Sequence, residues 1–249
     1  MQHKPAIQVF ERMFLLLDIL AEQSQPIGLK EISELANLHT STTHRILSDL
    51  ILGRYVERPQ PGVYRLGLRF LELGNTVKAR LDVREAALGP MRLLHEKTGQ
   101  PINLSVRQGD AIVYIERTYS ERSGMQVVRA IGGRAPLHLT SVGKLFLAVD
   151  SEEHLKSYAE RTHLKGQTAN SLTNLDALKR EIRTVVKTQI AHDREELELG
   201  VRCVASGIYN DKNELIAGLS ISAPTDRMRS DWIESLQATT RSISAALGA

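Results

Sequence analysis

The stretch Thr40–Leu52, Thr-Ser-Thr-Thr-His-Arg-Ile-Leu-Ser-Asp-Leu-Ile-Leu, constrains this chain more than any other. Thr43, Ile46, Leu47, Leu50 and Ile51 fall at i, i+3, i+4, i+7 and i+8, the spacing of a helix with one apolar side. Thr40 or Ser41 can cap its start. Hydroxyls, an imidazole and a guanidinium gather at its N-terminal end, where they suit phosphates and base edges. Alone, such a helix is equally an ordinary surface helix of a small bundle; its neighbours decide. Upstream, Ile7, Phe10, Phe14, Leu17 and Leu20 predict an amphipathic helix over residues 7–22, ended by Gln25-Pro26-Ile27-Gly28. Lys30–Ala36 predicts a short second helix with Ile32, Leu35 and Ala36 inward, and Asn37-Leu38-His39 a three-residue turn. Two short helices joined in this way form a helix-turn-helix. Downstream, Gly53 stops the third helix. Tyr55-Val56-Glu57-Arg58 and Val63-Tyr64-Arg65-Leu66 then flank a Pro59-Gln60-Pro61-Gly62 turn, which predicts a β-hairpin able to straddle a phosphate backbone with Arg58, Tyr64 and Arg65. Three helices followed by a hairpin make a winged helix-turn-helix.

Bulk charge adds little to that reading. The net charge is +3, and residues 1–66 carry seven basic and seven acidic side chains, so the candidate DNA-binding part is neutral. Any basic surface must come from arrangement, with most acids in the earlier helices and most arginines from Arg45 onward. The 249 residues exceed a typical single domain, so two domains are expected. A single cysteine, Cys203, excludes an intrachain disulfide and a cysteine metal cluster, and fits a reducing cytosol. No stretch reads as a signal peptide, and the longest apolar run, Met13–Leu20, contains Asp18 and is far too short to span a bilayer.

Leu66, Phe70, Leu73 and Val77 predict a connecting helix whose apolar stripe suits a partner subunit, with a boundary at Arg80-Leu81-Asp82. The expected organisation is a DNA-binding domain at 1–66, a linker helix at 67–81 and a second domain at 82–249. In the second domain a helix is predicted over 83–98, kinked at Gly89-Pro90. Ile102/Leu104/Val106 and Ile112–Ile115 read as strands, Met125–Ala130 as a further strand, and Ser141–Val149 as a helix. Leu175, Leu178, Ile182 and Val185 mark another helix, Val201–Ile208 and Leu215–Ser222 a strand pair, and Asp226–Leu247 a final helix. Hairpins of this kind imply a mainly antiparallel sheet in an α+β domain.

Within Leu215–Ser222, alternation puts Gly218, Ser220 and Ser222 on one face and Leu215, Leu219 and Ile221 on the other. Two hydroxyls beside a glycine suit a small polar ligand, or simply water or neighbouring backbone. Cys203 lies in another strand-like run and reads as a small buried apolar residue. Asp193 opens the charge run Asp-Arg-Glu-Glu, for which an exposed loop is the default. Ser141-Val142-Gly143-Lys144 begins a helix, so its free N–H groups can hold an anion. His138, His163 and His192 lack a metal-ligand spacing, so no metal is expected.

In order along the chain, these residues resemble the IclR-type bacterial transcriptional regulators. The matching segments are Leu29–Ala36, Ser41–Leu47, Tyr55–Arg58 with Tyr64–Gly67, Pro136-Leu137-His138 with Gly143-Lys144, Asp193–Glu196, Gly200–Ala205 and Ala217–Pro224. The resemblance implies a winged helix-turn-helix joined by a helix to a GAF-like effector-binding domain. It further implies a homodimer or homotetramer on a partly palindromic double-stranded operator in the cytoplasm. A small organic or aromatic acid would be the effector, with no cofactor and no membrane association. The positions matching the family's effector pocket are Ser141, Val142, Asp193, Cys203, Ser220 and Ser222. The expected DNA contacts are Lys30, Ser41, Thr42, Thr43, His44, Arg45, Arg58 and Arg65. This chain departs from the family in having Thr40 where a basic residue is common, and Ser141 and Val142 where smaller residues are usual.

Two other readings differ in class. One is a constitutive DNA-binding protein whose second domain only oligomerises. The other is an enzyme with an accessory DNA-binding domain using Asp193, His138 and Cys203, for which the sequence offers no activated nucleophile.

Overall fold

The computed structural model describes residues 8–78, 82–118 and 131–249. The chain divides into two compact units, residues 1–80 and 81–249.

The first unit is built from helices α1 (Gln8–Ala21), α2 (Leu29–Leu35), α3 (Thr40–Leu52) and α4 (Arg69–Lys78) and a three-stranded sheet. Strands β2 (Val56–Gln60) and β3 (Val63–Leu66) form the expected hairpin, and β3 also pairs with the two-residue strand β1 (Ile27–Gly28). The segment read only as a terminator of α1 therefore supplies a strand as well. Gly62 takes φ +84°, the sign required at the second centre of a Pro-Gly turn. One core holds the unit together: Leu16, Ile19 and Leu20 of α1, Ile32 of α2, and Ile46, Leu47 and Leu50 of α3, closed by Ile27, Val56 and Tyr64. Each such buried side chain contributes roughly 1.5–3 kcal/mol.

Two details differ from the periodicity. On α1 the buried face is Leu16, Ile19 and Leu20, while Phe10 and Phe14 are about half exposed. On α2, Leu35 points outward and Ser33 inward, its hydroxyl donating to the Leu29 carbonyl at 2.7 Å. A unit this small has only one interior side per helix, so apolar residues beyond that arc stay outside.

The second unit is a six-stranded sheet, wholly antiparallel, in the order β6-β5-β4-β9-β8-β7. The strands are β4 (Ile102–Gln108), β5 (Ala111–Thr118), β6 (Arg134–Pro136), β7 (Ile190–Arg194), β8 (Val201–Tyr209) and β9 (Leu215–Pro224). Each face buries its own core. On one face, Ile102, Leu104, Val204, Leu219 and Ile221 meet α5 (Asp82–Thr98) and α9 (Trp232–Ala246) through Met91, Leu94, Leu236 and Ile243. On the other, Ala191 and Ala205 meet α6 (Ser141–Val149), α7 (Glu152–Thr162) and α8 (Leu175–Thr188) through Val142, Phe146, Tyr158, Leu178 and Ile182. Period-2 alternation sorts the side chains between these layers.

Helix α5 runs through Pro90 as one element. Helix α9 begins at Trp232, later than its apolar pattern suggests, because Thr225–Arg227 forms a 3-10 turn first. Helix α7 and strands β6 and β7 had not been read from the sequence. The strand expected at Met125–Ala130 lies outside the described residues.

Candidate functional site

Two polar surfaces stand out, one in each unit. The first is the outer face of α3 with the hairpin beside it. The helix starts at Thr40 with His39 as its cap residue, so neither Thr40 nor Ser41 takes that position. The His39 carbonyl accepts from the backbone N–H of Thr42 and of Thr43. Ser41, His44 and Arg45 are exposed and Thr42 is partly so. Thr43 is not available to DNA: it is fully buried under α3, its hydroxyl donating to the His39 carbonyl at 3.3 Å. Tyr64 is likewise a core residue, 3% exposed, and leaves the hairpin with its arginines alone.

The cations around α3 are not equivalent. Arg45 and Arg58 are exposed and, among the described residues, have no carboxylate within ion-pair distance. Arg65 donates from Nε and Nη2 to one oxygen of Glu57, at 3.1 and 3.0 Å, and this pairing holds the Glu57 carboxyl below the usual range. Arg54 and Arg69 share Glu72, at 3.1 and 2.7 Å. Lys30 approaches Glu34 at 3.8 Å, both well exposed, a pairing worth little. Unneutralised positive charge is therefore concentrated at the start of α3 and the tip-side strand of the hairpin, which is the pattern phosphate contact needs.

The second surface is the α6-facing side of the large sheet. The strand registers place Asp193 opposite Cys203, Cys203 opposite Ser222, Ala205 opposite Ser220, Ser220 opposite Asn103, and Asn103 opposite Arg117. Asp193, Cys203, Ser220 and Ser222 thus share one face, as the alternation and the resemblance implied. Asn103 and Arg117 extend the same row, and the sequence reading had missed both. Their signal was present: in Ile102-Asn103-Leu104-Ser105 the polar residues alternate with the apolar ones.

Hydrogen bonds tie the row together. Asn103 Nδ2 donates to Ser222 Oγ at 3.0 Å, Ser222 Oγ meets Cys203 Sγ at 3.1 Å, and Arg117 Nε donates to Asn103 Oδ1. Burial, with Asp193 nearby, pushes the Cys203 thiol well up, so it is no thiolate nucleophile.

Helix α6 closes the far side. Thr140 caps it by accepting from the Gly143 N–H at 3.0 Å. Gly143 is required there, since a Cβ would lie 2.2 Å from the Leu137 carbonyl oxygen. Val142 packs on Gly218, where a Cβ would come within 2.6 Å of Val142 Cγ1. Val142 and Ser141 are 1% and 2% exposed, so both line this layer from within.

Asp193 is not in an exposed loop. It sits on β7 and is 3% exposed, because Ile190 and Ala191 anchor the strand on either face and draw the start of the charge run into the sheet. Burial pushes its carboxyl up to about 7, although Oδ1 accepts the Glu196 N–H at 2.8 Å. Behind it is a buried ion cluster. Lys144, fully buried, donates to the His192 carbonyl at 2.6 Å, contacts Glu196, and lies 3.6 Å from Glu181, which also takes Arg194 at 2.8 Å. Burial raises the Glu196 carboxyl; for Glu181 burial acts the same way, but Lys144 and Arg194 outweigh it and the net shift is downward. Among the described residues no group of side chains could hold a metal ion. None of their helices is long and apolar enough to cross a membrane.

Comparison with known proteins decides the family. The model of the IclR helix-turn-helix domain matches residues 9–60, and that of the bacterial transcriptional regulator IclR C-terminal domain matches residues 75–247. The chain belongs to the IclR family of bacterial transcriptional regulators. It is 34% identical over 249 residues to the HTH-type transcriptional regulator XynR of Escherichia coli K12, covering 98% of both chains. The crystal structure of the Thermotoga maritima IclR matches with a TM-score of 0.78 and 28% identity, over 97% of this chain and 99% of that one. An IclR homologue from Microbacterium hydrocarbonoxydans, solved with 4-hydroxybenzoate, shares the fold at a TM-score of 0.83 and 23% identity, over 96% and 98% of the two chains. The IclR family consists of DNA-binding transcription regulators rather than enzymes, and the winged helix-turn-helix and antiparallel α+β domain described above are its fold.

Proposed function

We propose that this IclR-family protein is an effector-responsive regulator whose second unit binds a small organic or aromatic acid on the polar face of its sheet. The observation that carries the reading is the row of Asp193, Cys203, Ser220 and Ser222 under the start of α6, in which Asp193 and Ser220 are buried and Cys203 and Ser222 half-buried. Polar side chains cost free energy inside a core unless they find partners. Asp193, Ser220 and Ser222 on one face, with a thiol between them and a helix start beside them, are better suited to a ligand than to packing. The DNA contacts in this reading are Ser41, Thr42, His44 and Arg45 in the major groove, with Arg58, Arg65 and Lys30 on the backbone. The protein acts in the cytoplasm as a homodimer or homotetramer on a partly palindromic operator, since a two-fold protein reads a two-fold site. Exposed Phe10 and Phe14 on α1 and Leu71 on α4 support such assembly. The ligand alters DNA affinity only through different affinities for two arrangements of the assembly.

The test is a thermal-shift titration of the full chain with 4-hydroxybenzoate and a panel of small hydroxy, oxo and aromatic acids. A ligand at a hundred times its dissociation constant stabilises by about 2.7 kcal/mol. The Ser220→Ala/Ser222→Ala protein is expected to lose that shift and the ligand's effect on operator binding. Stabilisation undiminished in the double variant would move the site elsewhere.

A further inference from the structure

We infer that Ser105 is a further effector contact of this same site, its hydroxyl donating to the effector's acid group beside the start of α6. This rests on the effector-binding reading above and adds to it a residue and a direction.

An unpaired hydroxyl carries the inference. Ser105 is 0% exposed, and its Oγ has no hydrogen-bond partner among the described residues. Such a group costs free energy that nothing inside the chain returns. Its place on the sheet is fixed by register. The extra residue in the β4–β5 pairing falls on β5, between Tyr114 and Glu116, so alternation along β4 is unbroken. Ile102 and Leu104 go to the α5 and α9 side, and Asn103 and Ser105 to the side facing α6, where Asn103 reaches Ser222. On β9, Ser105 pairs with Gly218, two positions before Ser220. Gly218 has no side chain, and Val142 comes down onto it, 2.6 Å from where a Cβ would stand. The first turn of α6 therefore lies beside Ser105. The row described above thus continues toward the helix start, and it ends there on a buried donor with nothing to bond.

The two ends of this face differ in charge, which sets the direction. Thr140 accepts the Gly143 N–H through its hydroxyl and the Lys144 N–H through its carbonyl, so the N–H groups of Ser141 and Val142 are those the helix start leaves over. A carboxylate beside them can take the Ser105 proton as well, and a hydrogen bond to an ionised acceptor is stronger than a neutral one. Asp193 lies at the far end, on the row that runs through Cys203 to Ser222. Ser222 is four residues along β9 from Gly218, about 13 Å of extended strand. Asp193 is an acid with Glu196 close by, and an ionised group placed against it would bury like charges together. A hydroxyl or carbonyl does not meet that repulsion. The acid therefore goes to Ser105 and the start of α6, and a neutral polar group faces Asp193.

The experiment compares the full chain with its Ser105→Ala variant by two readouts. The first is melting without ligand. Ser105→Ala removes an unpaired buried hydroxyl, so the variant is expected to melt at or above the wild-type temperature. The second is affinity, by calorimetry, for matched acid and amide pairs: 4-hydroxybenzoate against 4-hydroxybenzamide, lactate against lactamide, and any panel acid that binds against its own amide. The variant is expected to bind the acid at least roughly tenfold more weakly than the wild type does, and the amide within about threefold of wild type. A variant that melts below the wild type without ligand would show that the hydroxyl serves the fold, and overturns the inference. Unchanged acid affinity, or acid and amide weakened equally, also overturns it while leaving effector binding intact. Failure of every pair and of the wider acid panel to bind the wild type removes the effector reading and this inference with it.

Discussion

The outer face of α3 and the inner face of the large sheet are both polar, yet opposite physics holds them. On α3, Ser41, His44 and Arg45 stand in water, where an unpaired hydroxyl or guanidinium costs nothing. On the sheet, Asp193, Ser220 and Asn103 are all nearly inaccessible, and most polar atoms around them are engaged by one another. Surface groups can be altered with little effect on folding, so changes there should register in DNA binding. Buried groups are coupled to stability, so changes there should register in folding first and in function through it. This separation is testable at three levels of effect.

The largest effect is expected at Lys144. Replacing it with Met keeps most of the side-chain volume and leaves Glu196 and Glu181 without their shared cation. Breaking a buried pair by removing one partner costs roughly 3–5 kcal/mol. Chemical denaturation should show a loss of that order, and Lys144→Met combined with Glu196→Gln should recover part of it. A loss below about 1 kcal/mol would mean that the cluster is effectively solvated.

A smaller effect, with a sign fixed in advance, belongs to Asp193. Its folded carboxyl titrates at about 7, against 3.8 in an unperturbed chain. Between those values the folded state holds a proton that the unfolded state has released. Stability from this group is therefore greatest at low pH, falls as pH rises from about 4 to 7, and is level above. At about 1.4 kcal/mol per pKa unit the full span is on the order of 4 kcal/mol. Asp193→Asn removes the titration, and its amide oxygen can still accept the Glu196 N–H. The stability difference between variant and wild type should grow in the variant's favour from pH 5 to pH 8. Using the difference matters, because buried His138 and half-buried His192 are held low and act in the opposite sense near the same pH. A flat difference would show that Asp193 is ionised in the folded protein throughout that range.

The same contrast explains what was legible in the sequence. The α3 pattern is local: thirteen consecutive residues carry both the helix and its polar end, and Ile46, Leu47 and Leu50 are buried as spaced. Even there, Thr43 falls on the buried arc that its spacing with Ile46 and Leu47 indicates, and only its residue type had suggested a DNA contact. The sheet row is assembled from five strands between Asn103 and Ser222, so only its segments could be read singly. Gly218, Ser220 and Ser222 were visible by alternation within one strand. Asp193 was not, because the charges after it read as a loop while its burial comes from pairing with Cys203 on β8. Helix α7 was missed for a related reason: it buries only Leu155 and Tyr158. The exposed Phe10 and Phe14 show the converse, an apolar period that is wider than the core available to it.

The smallest effects are expected among the hairpin cations, and they sharpen the surface side of the comparison. Among the described residues no carboxylate lies within ion-pair distance of Arg58, whereas Arg65 is bound through two N–H groups to Glu57. A phosphate contact made by Arg58 releases counterions without first breaking an ion pair, so Arg58→Ala should lower operator affinity at every sequence and reduce the salt slope by about one. Arg65 must share its charge with Glu57 or give up the pairing, so Arg65→Ala should change the slope less. Glu57→Gln should tighten DNA binding by freeing Arg65. Fluorescence anisotropy across a salt series, with one operator and one unrelated duplex, separates these cases, and none of the three variants should alter unfolding by more than about 0.5 kcal/mol. Equal slopes lost in Arg58→Ala and Arg65→Ala would show that the Glu57 pairing opens on DNA, and that exposed pairs on this surface do not set which cations make contact.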